Sequence, residues 1–294
     1  MTSVHTPVLL KEIISYLKPE SGKNFIDCTF GAGGHSRAIL NKIKPNGKIL
    51  AIDLDKDVLK NFKASDAQSI TFVSDNFCDL KKIVSENFKY PVHGILLDLG
   101  LSSDQLEVSG RGFSFQTNEL LDMRFSTNQE MTAADILNTY PLEDLYDIFK
   151  NYGEYPHARR LSQSIFEFRK VKKFQSTQDL VEVVRGVHFR QGHEKIHPAT
   201  KVFQALRIAV NDELGSLATV LPQALEILAP HGRLAVISFH AGEDRIVKNF
   251  FRDKARAEKP QIKLLTKKPI VPTEAEIKSN PRSRSAKLRV IEKL

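Results

Sequence analysis

Asn24-Phe-Ile-Asp-Cys-Thr-Phe-Gly-Ala-Gly-Gly-His-Ser36 opens as an apolar, strand-like run and closes with three glycines in four positions, Gly31, Gly33 and Gly34. The helix-like Ser36-Arg-Ala-Ile-Leu-Asn-Lys-Ile43 follows directly. A strand, a tight turn and a helix are therefore expected. Only a residue without a Cβ takes positive φ cheaply and lets a ligand come close to the backbone. The helix start beyond it offers unpaired N–H groups and partial positive charge, which suits the polar end of a nucleotide-like cofactor. Plain loop geometry explains such a turn equally well, so its surroundings have to decide.

Those surroundings repeat the pattern. The turn Pro45-Asn46-Gly47 leads into Ile49-Leu50-Ala51-Ile52 and ends at Asp53, about 20 residues past the glycines, where a ribose-binding carboxylate belongs. Capping of the next helix is the rival role for Asp53. Outward from there, an amphipathic helix is expected over 6–18, with Thr6 as N-cap and Pro7 at its first position. Strands are expected at 24–28, 48–53, 70–74 and 93–99, alternating with helices at 35–44, 56–64 and 79–87. Such alternation makes a parallel sheet covered on both faces, with ligands beyond the carboxyl ends of its strands.

After Asp98 the rhythm breaks. Residues 100–125 are rich in Gly, Ser and Phe and read as a long functional loop. From Thr132 to about Gln204 only helices are recognisable, begun by Thr132, Pro141, Pro156 and Ser176 or Thr177. A helix from His197-Pro198 through Val210 and another to Leu228 return the chain to the sheet. The run Leu234 to Phe239 is then a buried strand, 240–251 a helix, and 263–265 and 287–291 two last strands. The Pro- and Lys-rich stretch between these last strands, ending Asn280-Pro-Arg-Ser-Arg-Ser285, is expected to be mobile when free. The expected class is thus α/β, a Rossmann-like sheet with an inserted all-helical domain. Residues 1–105 and 208–294 form the sheet domain and 106–207 the insertion.

Composition narrows the function classes. The 294 residues are 41% apolar, enough for a core, and no apolar run has the length of a membrane span. The N-terminus lacks a basic and apolar leader, so a cytoplasmic protein is expected. Cys28 and Cys78 make neither a disulfide framework nor a zinc pattern and are expected as small buried hydrophobes. A zinc site from His188, His193 and His197 has no cysteine or ligand spacing behind it, so no metal is expected. The net charge of +8 is segregated: residues 150–207 carry 12 Lys/Arg against 5 Asp/Glu and residues 248–294 carry 14 against 5, leaving the remainder at −8. That distribution suits a polyanion such as nucleic acid; a solvated basic face is the alternative.

Several stretches together carry a family resemblance. They are Asp27 to Ser36, Gly94-Ile-Leu-Leu-Asp-Leu-Gly100, Leu101-Ser-Ser-Asp-Gln105 and Arg111-Gly-Phe-Ser-Phe115. His5-Thr-Pro-Val-Leu-Leu10, Leu121-Asp-Met-Arg124, His197-Pro-Ala-Thr200, Phe203 to Ile208, Val236 to His240 and Glu243 to Lys248 extend the set in order along nearly the whole chain. The chain resembles the bacterial small-subunit ribosomal RNA N4-cytosine methyltransferases of type H, the MraW family. The resemblance implies a class I methyltransferase sheet with a helical, RNA-recognising insertion. It also implies S-adenosyl-L-methionine as methyl donor, and a cytidine N4 amine in the decoding region of 16S rRNA within the small subunit as acceptor. It further implies cofactor contacts at Gly33, Gly34, His35, Asp53, Phe77, Asp98 and Gln105. A homodimer is left open.

Chemistry agrees with most of these positions. Asp53 can hold ribose hydroxyls, Phe77 can pack on adenine, and Asp98 can accept from the methionine amino group. Without the resemblance Phe77 reads as a core aromatic and His35 as a helix cap, while Gln105 has no reading of its own. Near the methyl, Ser102, Ser103 and His240 join Asp98, though His240 after a buried strand also reads as structural. Phe113 or Phe115 can stack on the base or belong to a core. Arg111, Arg159, Arg160, Arg282 and Arg284 are phosphate-contact candidates.

Two departures matter. Asp98-Leu-Gly-Leu101 replaces the Pro-Pro-aromatic device of other amino methyltransferases, so no catalytic base is assigned. Ala241-Gly242 replaces the family's usual Ser-Leu after His240. Rival functions are a non-catalytic rRNA-binding assembly factor and an NAD-dependent oxidoreductase. The latter lacks its six-residue glycine spacing.

Overall fold

A computed structural model describes residues 6–56, 58, 68–101, 109–187 and 197–294. The chain forms two compact units, Met1–Gly100 with Leu214–Leu294, and Leu101–Glu213.

The first unit is built on a sheet of seven strands: β1 (Phe25–Asp27), β2 (Ile49–Asp53), β3 (Ile70–Ser74), β4 (Val92–Asp98), β5 (Leu228–Ser238), β6 (Ile262–Leu264) and β7 (Lys287–Lys293). Their order is β3-β2-β1-β4-β5-β7-β6. The first five run parallel, with Phe25 opposite both Ile49 and Gly94 and Asp98 opposite Ile237. β7 is antiparallel to β5 and to β6. The order reverses between β1 and β4, the place where doubly wound sheets open a crevice at the strand tips.

Side chains alternate along each strand, so each apolar run feeds two cores. Ile26, Leu50, Ile52, Ile95, Leu97, Leu234 and Val236 are buried on one face with residues of α3 (Leu80–Asn87), α9 (Glu213–Ile227) and α10 (Ala241–Arg256). Phe25, Ile49, Ala51, Leu96, Ala235, Ile237, Leu288 and Val290 are buried on the other with α1 (Leu10–Leu17) and α2 (Gly34–Ile43). Gly94 has to be glycine: a Cβ there would lie 2.5 Å from the Phe25 ring.

The second unit is helical: α4 (Ala133–Thr139), α5 (Leu142–Asp147) continuing as a π-turn through Tyr152, α6 (Ala158–Val171), α7 (Thr177–Val187) and α8 (Pro198–Asn211). Thr132 and Asp135 close a reciprocal cap on α4, with Thr132 Oγ1 accepting from Asp135 N at 3.1 Å and Asp135 Oδ2 from Thr132 N at 2.9 Å. Ile136, Phe149, Leu161, Ile165, Phe174, Val184, Val202 and Leu206 form its core. Because Val210 also packs there, the unit runs on to Glu213 instead of stopping at 207.

Three expectations need correcting. α1 begins at Leu10 and not at Thr6, because Leu9 takes φ 52° and its N–H is bound by Glu276 Oε1 at 2.7 Å. The stretch before β7 is built in: Ile270 and Leu288 exchange backbone hydrogen bonds of 2.9 and 2.8 Å, α11 (Glu274–Ser279) follows, and Ser283 is buried. Cys28 is buried but Cys78 is partly exposed. The helix expected at 56–64 lies almost wholly outside the described residues. Among those described, no helix is long and apolar enough to cross a membrane.

Candidate active site

Three neighbouring strands end in aspartate: Asp53 on β2, Asp27 on β1 and Asp98 on β4. The glycine turn leaves β1 beside them. Gly31 and Gly33 take φ of 51° and 72°, a region closed to most side chains, and Gly33 N donates to Phe30 O at 2.7 Å. Gly34 has ordinary backbone angles; its missing Cβ makes room for the Pro7 ring.

Each aspartate is held differently. Asp27 is almost fully buried, its Oδ2 accepting from Ser36 Oγ at 2.6 Å and its Oδ1 from Thr29 N at 3.2 Å. Burial nevertheless pushes its carboxyl up. Asp53 Oδ2 accepts from Gly31 N at 2.8 Å and Oδ1 from Asp55 N at 2.9 Å, so the carboxylate ties its own strand end to the glycine turn. Burial outweighs those two bonds and raises its pKa to about 6. Asp98 is fixed through its backbone, with its N–H on Thr29 Oγ1 at 2.7 Å. Its Oδ2 lies 3.3 Å from His35 Nε2.

Burial pulls the His35 imidazole down, and the Asp98 and Asp27 carboxylates more than offset it, so its pKa is raised. The His35–Asp98 approach is a charge contact without hydrogen-bond alignment. Both His35 ring nitrogens and Asp98 Oδ1 are buried with no hydrogen-bond partner among the described residues. Native proteins rarely leave buried polar atoms in that condition away from functional sites.

Phe77 opens a short 3-10 turn after β3, where Asn76 Oδ1 accepts from Cys78 N at 3.0 Å, and it packs half-buried at the edge of the core. His240 follows β5 at the start of α10. Glu243 Oε2 accepts from the N–H groups of Phe239 at 2.7 Å and His240 at 3.2 Å, and the His240 ring Nε2 lies 3.2 Å from Glu243 Oε1. A Cβ at Gly242 would stand 3.2 Å from that ring, so this chain's Ala-Gly gives the imidazole room that Ser-Leu would take. Gln105, Ser102 and Ser103 lie outside the described residues.

A family model described as the MraW methylase family matches residues 2–294. The chain belongs to the MraW methylase family. It is 46% identical over 308 residues to a protein of Dehalococcoides mccartyi named ribosomal RNA small subunit methyltransferase H, covering 99% of this chain and 86% of that one. A protein of the same name from Magnetococcus marinus is 44% identical over 314 residues, covering all of both. Solved structures are more distant. A SAM-dependent O-methyltransferase from Thermotoga maritima is 10% identical with a TM-score of 0.43, over 100% of this chain and 68% of that one. The fibrillarin of Aeropyrum pernix, with natively bound S-adenosyl-L-methionine, is 8% identical with a TM-score of 0.39, over 92% and 67%.

MraW methylases use S-adenosylmethionine as methyl donor, and the strand-tip residues fit that group. A cationic sulfonium and an ammonium call for carboxylates, and among the described residues Asp98 Oδ1 has no hydrogen-bond partner. In this MraW chain Arg111, Phe113, Phe115, Arg159 and Arg160 sit in the helical unit, whereas Arg282 and Arg284 sit in the sheet unit, on the short turn before β7. Arg111 is turned into its own fold, with Nη1 donating to Arg124 O at 3.1 Å and Phe125 O at 2.9 Å. Phe113 is 7% exposed and belongs to the helical core, whereas Phe115 is half-buried and stacked on the exposed His197 ring at 4.9 Å. Sequence reading passed over Asp27 and its Ser36 partner. The signal was available: an aspartate closes each of three apolar runs, at 27, 53 and 98.

Proposed function

We propose that this chain transfers a methyl group from S-adenosylmethionine to the exocyclic N4 amine of a cytidine in the decoding region of 16S rRNA, acting in the cytoplasm on the small ribosomal subunit. MraW membership and relatives named for small-subunit rRNA methylation support the substrate class. The observation that carries the reading is the set of three aspartates ending adjacent strands, one with an orphaned buried oxygen, beside a turn of positive-φ glycines.

When bound, S-adenosylmethionine supplies an electrophilic methyl on a cationic sulfur. Asp53, ionised, accepts from the ribose hydroxyls, and Asp98 Oδ1 accepts from the amino group. Phe77 packs on the adenine, and Gly33, Gly34 and His35 form the wall at the start of α2. Gln105 keeps its place in the set by resemblance alone. Holding the amine in line with the departing sulfur is the main rate contribution such a site can make. His240, at the tip of the strand next to Asp98, is a candidate for the base side, with Ser102 and Ser103. The helical unit, with exposed Lys173, is assigned to the rRNA backbone.

Purified protein, labelled S-adenosylmethionine and small subunits from cells lacking this activity test the reading. Label in N4-methylcytidine of the decoding region is expected. Binding of subunits with no label transferred would replace the enzyme by an assembly factor, and label on another base would overturn the acceptor.

A further inference from the structure

The segment 6–9 meets α11 and Asn280 beside the glycine turn. Leu9, 267 residues before Glu276, donates its N–H to that carboxylate at 2.7 Å from a left-handed conformation, φ 52° and ψ 34°. Asn280 Nδ2 donates to Thr6 O at 3.1 Å, gripping the same segment three residues earlier. Glu276 is itself placed by α11, where its N–H is capped by Thr273 Oγ1 at 3.2 Å. Between the two anchor points, Val8 and Leu9 are buried in the core with Phe30 and Ile39, and the Pro7 ring fills the space that a side chain on Gly34 would need. Gly34 is the first residue of α2, and His35, the neighbour of Asp98, is the second.

Such an arrangement is more than an N-terminal tether. A left-handed leucine is an unfavourable conformation that persists where its surroundings over-determine it. Here core burial and the Asn280 bond hold the segment, and the Leu9 N–H itself is held by an acceptor 267 residues away, Glu276. We propose that Glu276 is a positioning residue for the cofactor: by holding Leu9 it seats Pro7 on Gly34, and that contact fixes the first turn of α2 and the placement of His35 against Asp98. The proposal rests on the cofactor reading given above.

Two readouts separate the proposal from that reading. Calorimetric titration with S-adenosylhomocysteine should show Glu276→Ala weakening binding by about 5- to 30-fold, the order expected for the loss of one part-buried hydrogen bond. Glu276→Gln should stay within about threefold of the parent, because the amide oxygen still accepts from Leu9 N. Pro7→Gly should weaken binding similarly while leaving the Glu276 bond in place, and the double variant should be no weaker than the worse single one, since the residues act in series. Independently of any ligand, the His35 imidazole followed by NMR should titrate at lower pH in Glu276→Ala than in the parent.

Unchanged binding and an unchanged His35 titration in a folded Glu276→Ala overturn the proposal, as does Gln failing as badly as Ala, or additive losses in the double variant. If Glu276→Ala does not fold, Pro7→Gly decides the matter through the same two measurements. A parent protein that binds no S-adenosylhomocysteine, but whose His35 titration moves with Glu276, refutes the cofactor reading and leaves the clasp standing.

Discussion

Asp53 at the strand tips and Asp179 in the helical unit are both carboxylates close to the protein interior, yet they respond to it in opposite ways. Burial raises Asp53 to about 6: the two backbone N–H groups of Gly31 and Asp55 do not offset it, and Asp55 and Asp27 add negative charge. Burial also acts on Asp179, but Lys172 at 2.5 Å and the N–H groups of Ser176 at 2.9 Å and Gln175 at 3.0 Å overcome it and lower the pKa to about 2. Asp179 is a finished piece of structure, bracing the start of α7. Asp53 is an unfinished one: its two backbone N–H donors do not offset its burial, and it marks the end of the sheet where a ligand completes the set.

That contrast predicts opposite dependences on pH. A carboxyl whose folded pKa lies above its unfolded value favours the folded state most when protonated, so the Asp53 contribution is present at low pH and declines as pH rises from about 4 to about 6. The shift of about 2 units corresponds to about 3 kcal/mol. Chemical denaturation of Asp53→Asn across that window should therefore lose this decline, and an unchanged slope would break the comparison. A depressed carboxyl works the other way. Asp179 stabilises above about pH 4 and loses its effect as pH falls toward 2, so Asp179→Asn should remove an acid-side loss.

Ligand binding should sharpen the difference. Asp53→Ala should weaken cofactor binding by about 1–3 kcal/mol, and in the parent protein affinity should climb with pH up to about 6 and then level off, as the ribose acceptor ionises. Calorimetry at several pH values measures both. Asp179→Asn should leave cofactor affinity unchanged but cost about 1 kcal/mol of stability, the usual worth of a side chain capping a helix start, read as a lower denaturation midpoint. Equal effects of the two substitutions on cofactor affinity would remove the functional distinction.

The smallest expected effect lies on the surface. Lys173 in the helical unit and Arg284 before β7 are both exposed. Changing either to Ala should reduce the salt dependence of rRNA binding by about one unit of slope and shift affinity about equally for different RNA sequences. A slope that moves for Lys173 alone would confine the RNA path to the helical unit.

Much of this was legible in the chain itself. The alternating strands, the glycine turn and the aspartate after Ile49 to Ile52 are local signals, because period, φ and strand-end position are properties of short segments. What escaped reading depends on distant partners. Nothing near Thr6 shows that Glu276 will hold Leu9 and delay the first helix, and nothing in the lysine-rich stretch before β7 shows that Ile270 pairs with Leu288. Arg111 looked available for phosphate until Arg124 and Phe125 offered their carbonyls. Phe113 and Phe115 are alike in sequence and only packing separates them, one inside the helical core and the other against His197.

The seventh strand has a further consequence for biosynthesis. β7 comes last of the strands in chain order, yet it occupies an inner lane, between β5 and β6. A nascent chain that has emerged only as far as β6 has nothing to pair that strand with, and β5 shows a bare hydrogen-bonding edge of the kind that recruits other strands. Messages cut short before Lys287 should thus yield insoluble fragments instead of weakly active enzyme, so that translation either delivers a competent methylase or a product that is cleared.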